Sequence, residues 1–307
     1  MVLVASSPRS LAWLLALSLL VVGSACGGEG ADVTPLHANY ETGNISQWTW
    51  GAQCANAGGS SNLSGTRGNI VVVRDVVAAG AHAARIDLPA SSEISGCEGI
   101  RKRTLATGHG SPAKEEWYAL SVRFPSSVQT NAWGMTFGQF NYQSIWGAPL
   151  GLFVYGPGDA SREPLHVRLV AQAGLCRPVG TPPAQGGPGC QWSNGLGSGR
   201  NPMKLIPNSR LTLGAWHDLL VRVVWTTNGA EARYQGWHRP RGGTWLQTVD
   251  YAPGQPSVQW TADRNASATD TTMDKFGLYR GANSQPTSIW HDNICAATTR
   301  AAAESCF

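Results

Sequence analysis

The chain has 307 residues, 42% hydrophobic and only 14% charged, with 37 Gly, 18 Pro, 13 Trp and 7 Cys and a formal net charge of +4. Disorder and coiled coil both need more charge and fewer aromatics, so both are excluded. A small positive charge without a basic block gives no case for nucleic acid, and it leaves an acidic polymer open as a ligand.

In chain order, residues 1–25 hold one basic residue, Arg9, then an apolar run from Leu11 to Val22 that is too short for the roughly 20 residues of a spanning helix. That is the pattern of a secretory signal. The run ends in Gly23-Ser24-Ala25-Cys26, which resembles the bacterial lipoprotein signal whose Cys becomes the lipidated first residue. Ordinary cleavage after Ala25 fits the same small residues. Either route exports the protein, as a secreted, periplasmic or cell-surface monomer whose one tie to a membrane would be a lipid on Cys26. Residues 26–34 read as a short Gly-rich tether, and residues 35–307 as one domain.

Beyond the tether the apolar residues alternate with a period of two. In Trp117 to Phe124, the residues Tyr118, Leu120, Val122 and Phe124 share one face and Ala119, Ser121 and Arg123 the other, and Pro125 closes the strand. Similar runs occur at Ile70–Val73, Ala83–Leu88, Leu150–Tyr155, Leu165–Val170, Leu219–Trp225, Thr244–Val249, Lys275–Tyr279 and Ile289–Ile294. Many short strands without helical patterns between them predict an all-β sandwich or barrel. Asn228-Gly229 is a hairpin signal, because both turn positions need positive φ. The irregular piece from Arg177 to Pro202 is long enough to be a functional flap.

Apart from Cys26, the cysteines are Cys54, Cys97, Cys176, Cys190, Cys295 and Cys306, an even number in an exported chain, which predicts three disulfides. Cys176–Cys190 and Cys295–Cys306 are the short-range pairings, leaving Cys54–Cys97. Zinc is disfavoured because no C-x-x-C pair and no His at ligand spacing accompanies them.

Polar side chains on the faces of apolar strands carry the chemistry. Gln139 and Asn141 share one face of Phe137 to Asn141, opposite Gly138 and Phe140. With Phe276 and Leu278 turned to the core, Lys275 and Tyr279 point the other way, and Gly277 leaves space between them. Arg101 and Arg103 share a face in a third strand. Amides, cations and a phenol suit a carboxylate-bearing sugar, although each such residue is by default merely solvated or packed. The pairs His217-Asp218 and His291-Asp292 put their side chains on opposite faces and make poor dyads. There is no G-x-S-x-G, no H-E-x-x-H and no phosphate-binding Gly loop.

Glu116 to Pro125, Trp133 with Phe137-Gly138-Gln139-Phe140, Trp216 to Val221, and Lys275 to Arg280, in that order, resemble the bacterial heparin lyase I-like polysaccharide lyases. Tyr40-Glu41-Thr42-Gly43 and Ile289-Trp290-His291-Asp292 are similar to their start and last strand. The resemblance implies a single β-jelly roll of concanavalin A type, related to alginate and glucuronan lyases, that cleaves acidic uronic-acid polysaccharides by elimination in a concave groove without a required cofactor. It implies that Gln139, Asn141, Tyr279 and Arg101 or Arg103 are catalytic, with Lys275 and Arg280 binding substrate. Asn141 stands where the alginate-cleaving relatives have His, and Thr104 where they often have Glu. Non-catalytic sugar binding is the alternative. Related sugar-binding sandwiches also imply a structural Ca²⁺ between Glu41 and Asp292.

Overall fold

A computed structural model describes residues 36–48, 52–56, 59–62, 70–88, 101–109, 115–128, 130, 134–142, 150–156, 163–171, 203–224, 233–251, 272–280 and 285–307, with the main chain alone at 52–56, 59–62, 101–109, 141–142, 171, 251, 272–273 and 279–280. The signal segment, Cys26, the tether and the Arg177–Pro202 piece lie outside the described residues.

The strands are β1 (His37–Ala38), β2 (Ala52–Asn56), β3 (Gly59–Asn62), β4 (Ile70–Val73), β5 (Ala83–Leu88), β6 (Arg101–His109), β7 (Glu115–Arg123) and β8 (Met135–Tyr142). They continue with β9 (Leu150–Tyr155), β10 (His166–Ala171), β11 (Lys204–Ile206), β12 (Trp216–Val224), β13 (Arg233–Pro240), β14 (Leu246–Tyr251), β15 (Thr272–Arg280) and β16 (Thr287–Ala297). One short helix, α1 (Arg300–Glu304), follows. Among the described residues no helix is long and apolar enough to cross a membrane.

The strands form two antiparallel sheets. The first runs β14-β13-β12-β7-β16-β5-β4 with β1 beside β16, and the second runs β11-β10-β9-β8-β15-β6-β2-β3. This is an all-β jelly-roll sandwich: the alternation predicts a sandwich or barrel, and the family resemblance implies the jelly roll. Tyr118, Leu120, Val122 and Phe124 of the first sheet meet Phe137, Phe140, Leu152, Phe276 and Leu278 of the second in one buried core. Aromatic contacts such as Tyr118–Phe140, with centroids 4.3 Å apart, join the two layers.

Two local differences have physical causes. Strand β12 starts at Trp216 rather than Leu219, because its polar residues are satisfied: His217, facing inward, meets His238 at 2.9 Å, and Asp218, facing outward, takes Arg239 at 2.8 Å and Arg241 at 3.1 Å. Strand β13, rich in Arg, Gln and His, carries no apolar alternation and is held by pairing along its whole length with β12. The Asn228-Gly229 signal does lie between these two antiparallel neighbours, although the turn itself is outside the described residues.

The outer face of β7 is buried as well as the inner one. Trp117 and Ala119 pack with Leu220, Trp237, Cys295 and Ala303 under the C-terminal segment, which the expected Cys295–Cys306 disulfide fastens at a Cα separation of 6.4 Å. The pairings expected for Cys54, Cys97, Cys176 and Cys190 fall on side chains outside the described residues.

Candidate active site

The residues singled out from the sequence fall on strands β6, β8 and β15 of the second sheet. In β15, Phe276 and Leu278 enter the core, so Lys275 faces outward, and in the β8–β15 ladder it stands directly opposite Gln139. Both side chains are half-buried. Burial holds the Lys275 ammonium below its ordinary range, and among the described residues no carboxylate pairs with it.

Main-chain register fixes the neighbouring positions. Asn141 is opposite Met273, and Tyr279 is opposite Thr136 on one side and Lys102 on the other. Arg280 is opposite Arg101, Leu278 opposite Arg103, and Gly277 opposite Thr104. Thus Gln139, Asn141, Lys275 and Tyr279 belong to adjoining strands. The side chains of Asn141, Arg101, Arg103, Tyr279 and Arg280 are outside the described residues. The residue whose register position pairs with Tyr279 is Lys102, which lies between the two arginines singled out from the sequence.

Across β9 and β10 the same face continues. Leu150, Leu152 and Val154 are in the core, which turns Gly151, Phe153 and Tyr155 outward, and the ladder pairs Tyr155 with His166 and Phe153 with Arg168. One oxygen of Glu163 binds Arg168 at 3.0 Å and Lys204 at 2.8 Å. The Lys204 hydrogen bond leads in holding the Glu163 carboxyl below its usual range, against the opposing effect of burial. Arg168 Nε donates to His166 Nε2 at 2.6 Å, so His166 carries its proton on Nδ1, which donates to the Pro164 carbonyl at 2.6 Å. Burial keeps this imidazole neutral.

A family model described as polysaccharide lyase matches residues 40–295. The chain belongs to the polysaccharide lyase family. No curated protein matches it. Among solved structures, this lyase-family chain is similar to an alginate lyase from Klebsiella pneumoniae, with 12% identity, a TM-score of 0.48, and coverage of 86% of this chain and 100% of that one. An alginate lyase from Aplysia kurodai gives 11% identity and a TM-score of 0.45, covering 76% of this chain and 88% of that one. A family 131 glycoside hydrolase catalytic domain from Coprinopsis cinerea gives 8% and 0.46, covering 86% and 93%.

In this polysaccharide lyase family member, Glu41 and Asp292 come together at one edge of the sandwich, around the loop at 74–82. Glu41 accepts the Ala81 N–H at 3.0 Å and the His82 N–H at 3.1 Å. Asp292 accepts the N–H groups of Ala78 at 3.0 Å, Ala79 at 3.2 Å and Asn293 at 2.8 Å. Burial first, and then the Glu41 charge, raise the Asp292 carboxyl to about 6. Calcium wants roughly 6–8 oxygens, whereas N–H groups surround this pair. As arranged the pair is a clamp on the loop and does not fit a calcium cage. Among the described residues the one group of three metal-ligating side chains is His37, Cys295 and Cys306, and the disulfide consumes both thiols.

Sequence reading passed over Phe153, Tyr155, Glu163, His166, Arg168 and Lys204. The available signal was the alternation of Phe153 and Tyr155 against Leu152 and Val154. Nothing local pointed to Lys204, which lies in a strand of only three residues.

Proposed function

We propose that the protein is an exported, monomeric lyase that cleaves uronic-acid polysaccharides by β-elimination on the outer face of the second sheet, lipid-anchored where Cys26 is modified. The observation that carries this reading is Lys275 opposite Gln139, with the strand positions of Asn141 and Tyr279 beside them, in a chain of the polysaccharide lyase family. Elimination removes the C5 proton, α to the carboxylate. The C5–H electron pair becomes the C4=C5 double bond, the C4–O bond breaks, and the departing oxygen takes a proton. Gln139, Asn141 and a cation from Lys275 or Lys102 would hold the carboxylate as charge grows there, stabilisation that is typically worth several kcal/mol; Arg101 and Arg103, expected in this role from the sequence, take register positions on the side of Leu278, which is in the core. Asn141 cannot be a base. Tyr279 is then the proton carrier: its phenolate takes the C5 proton and its phenol returns one to the leaving oxygen.

Incubation with a panel of uronic-acid polysaccharides tests the reading, with ultraviolet absorbance of the unsaturated product as the readout. Asn141 in place of a base favours one second reading, a sugar-binding protein that does not cut, and binding without absorbance would establish it. Hydrolysis needs two flanking carboxylates. The adjacent Glu115 and Glu116 lie in the first sheet and are engaged by Arg222 and the Tyr118 hydroxyl, away from this face.

A further inference from the structure

We propose that Phe153 and Tyr155, with Lys204 at their side, form a sugar-stacking subsite that anchors the uronic-acid chain beside the reaction centre; this rests on the lyase reading above. Its first support is that the sheet is shaped to seat the two rings. A Cβ at Gly151 would lie 2.6 Å from Phe153 Cε2, so the Phe153 ring lies over a position kept bare; the Tyr155 ring lies beside Gly134, whose φ of +72° and closeness to the Val154 carbonyl already call for glycine. The rings stack with centroids 5.9 Å apart and an interplanar angle of 27°. Both are half-buried.

The second support is the backing. The Arg168 guanidinium lies 4.5 Å from the centre of the Tyr155 ring, and the His166 ring stacks on it at 6.0 Å. These contacts hold Tyr155 in place before any ligand arrives, which lowers the ordering cost of binding. The third support is charge. Arg168 and Lys204 share Glu163, and His166 is neutral, so these four residues together carry one positive charge in excess. Arg168 is enclosed, whereas the Lys204 side chain is 35% exposed. A ring platform beside an accessible ammonium fits a polymer whose sugars each carry a carboxylate.

Position sets what the subsite does. Phe153 is opposite Thr136, and Thr136 is opposite Tyr279, so Phe153 and Tyr279 stand two strand spacings apart, about 10 Å. A sugar on Phe153 is therefore not the one being cleaved, and only chains longer than the minimal substrate reach it.

The test is calorimetric binding of mannuronate and glucuronate oligosaccharides of increasing length to Tyr279→Phe, alone and combined with Phe153→Leu, Gly151→Ala or Lys204→Met, alongside turnover by the otherwise native enzyme. Melting curves check that each variant folds, and Gly151→Ala shifts the ring while leaving Phe153 in the chain. The expected result is a loss of about fivefold to tenfold in affinity for long oligosaccharides and little change for disaccharides. Turnover of polymer should show a raised KM with kcat nearly unchanged. Parent-like binding at every length in the folded variants would overturn the subsite and leave the lyase reading intact. Length-dependent losses without any turnover would uphold the subsite and overturn the lyase. A parent that binds neither oligosaccharide would overturn the subsite, and absence of turnover on every uronic-acid polymer as well would overturn both.

Discussion

Lys275 stands directly opposite Gln139 in the β8–β15 ladder, and their strand neighbours Phe276 and Phe140 both turn into the core, so an ammonium and an amide stand side by side on the outer face of the sheet. Burial lowers the affinity of Lys275 for its proton, so the charge is lost at a lower pH than in an ordinary lysine. If that charge balances the substrate carboxylate, activity falls on the alkaline side as Lys275 deprotonates. Lys275→Arg is expected to move this alkaline limb upward. Lys275→Met is expected to remove it and to lower kcat/KM by about 100-fold. An alkaline limb identical in all three proteins would separate Lys275 from the chemistry.

Acid should destabilise the fold through its buried histidines. His291 is enclosed between Phe137 and Phe276, and burial lowers it to about 3; His238 is lowered similarly by burial and by His217. Between that value and the ordinary 6.5, the unfolded chain binds the proton and the folded one does not. Stability is therefore full above about pH 6.5 and falls as pH drops towards 3. His291 alone can account for up to about 5 kcal/mol over the whole window. Asp292, raised to about 6, works in the opposite sense: its folded form gains stability as pH falls from 6 towards 3.8, an effect of about 3 kcal/mol. Urea midpoints between about pH 7 and pH 4 should show the net loss, and His291→Leu should flatten the curve.

The clamp between Glu41 and Asp292 yields a separate expectation. Five main-chain N–H groups already satisfy these acids, so a chelator should leave the melting temperature where it was. Asp292→Ala should lower it, because the 74–82 loop loses its tie to β16. A fall in melting temperature on chelation, restored by calcium and absent in Asp292→Ala, would replace the clamp with a cation.

Removal of the Cys295–Cys306 bridge should free the C-terminal segment from the first sheet. Arg241 donates to the Phe307 carbonyl at 2.8 Å, and Arg300 lies 4.9 Å from the centre of the Trp237 ring, so this segment covers the outer tryptophans. Cys306→Ser is expected to cost about 3 kcal/mol and to shift tryptophan fluorescence to the red. Unchanged fluorescence would show that packing alone holds the segment.

The inward and outward assignments of β7 and of Gln139 and Lys275 were legible because a period of two is a local property, with Phe140 and Phe276 as markers; in β8 the period breaks at Phe137, which alternation puts beside Gln139 but which a register shift turns into the core. Pairing between strands is not local. Arg101 and Arg103 share a face by alternation, yet the position opposite Tyr279 belongs to Lys102, which depends on the β6–β15 register. Likewise Glu163, His166 and Arg168 are close in the chain, but Lys204 is distant, and only the antiparallel pairing of β10 with β11 brings it to them. The covered outer face of β7 was hidden for the same reason, since the segment that covers it lies at the far end of the chain.

The stereochemistry of cleavage follows from Asn141. With an amide where a base would stand, Tyr279 is the single proton carrier proposed, so it must both take the C5 proton and protonate the C4 oxygen from one side of the sugar. That is syn elimination. In D-glucuronate and D-mannuronate the C5 hydrogen and C4 oxygen are gauche and reachable from one side, whereas in L-guluronate and L-iduronate they are anti and call for a second base on the far side. Glucuronate and mannuronate polymers should therefore be cleaved in preference to guluronate and iduronate ones. Tyr279→Phe should abolish turnover and leave binding nearly intact, because the proton route is lost while the surrounding surface is kept. Asn141→His offers a sharper check: by supplying a second base it should raise activity on guluronate relative to mannuronate. Faster cleavage of guluronate blocks by the native protein, or substantial turnover by Tyr279→Phe, would rule out the single-carrier mechanism.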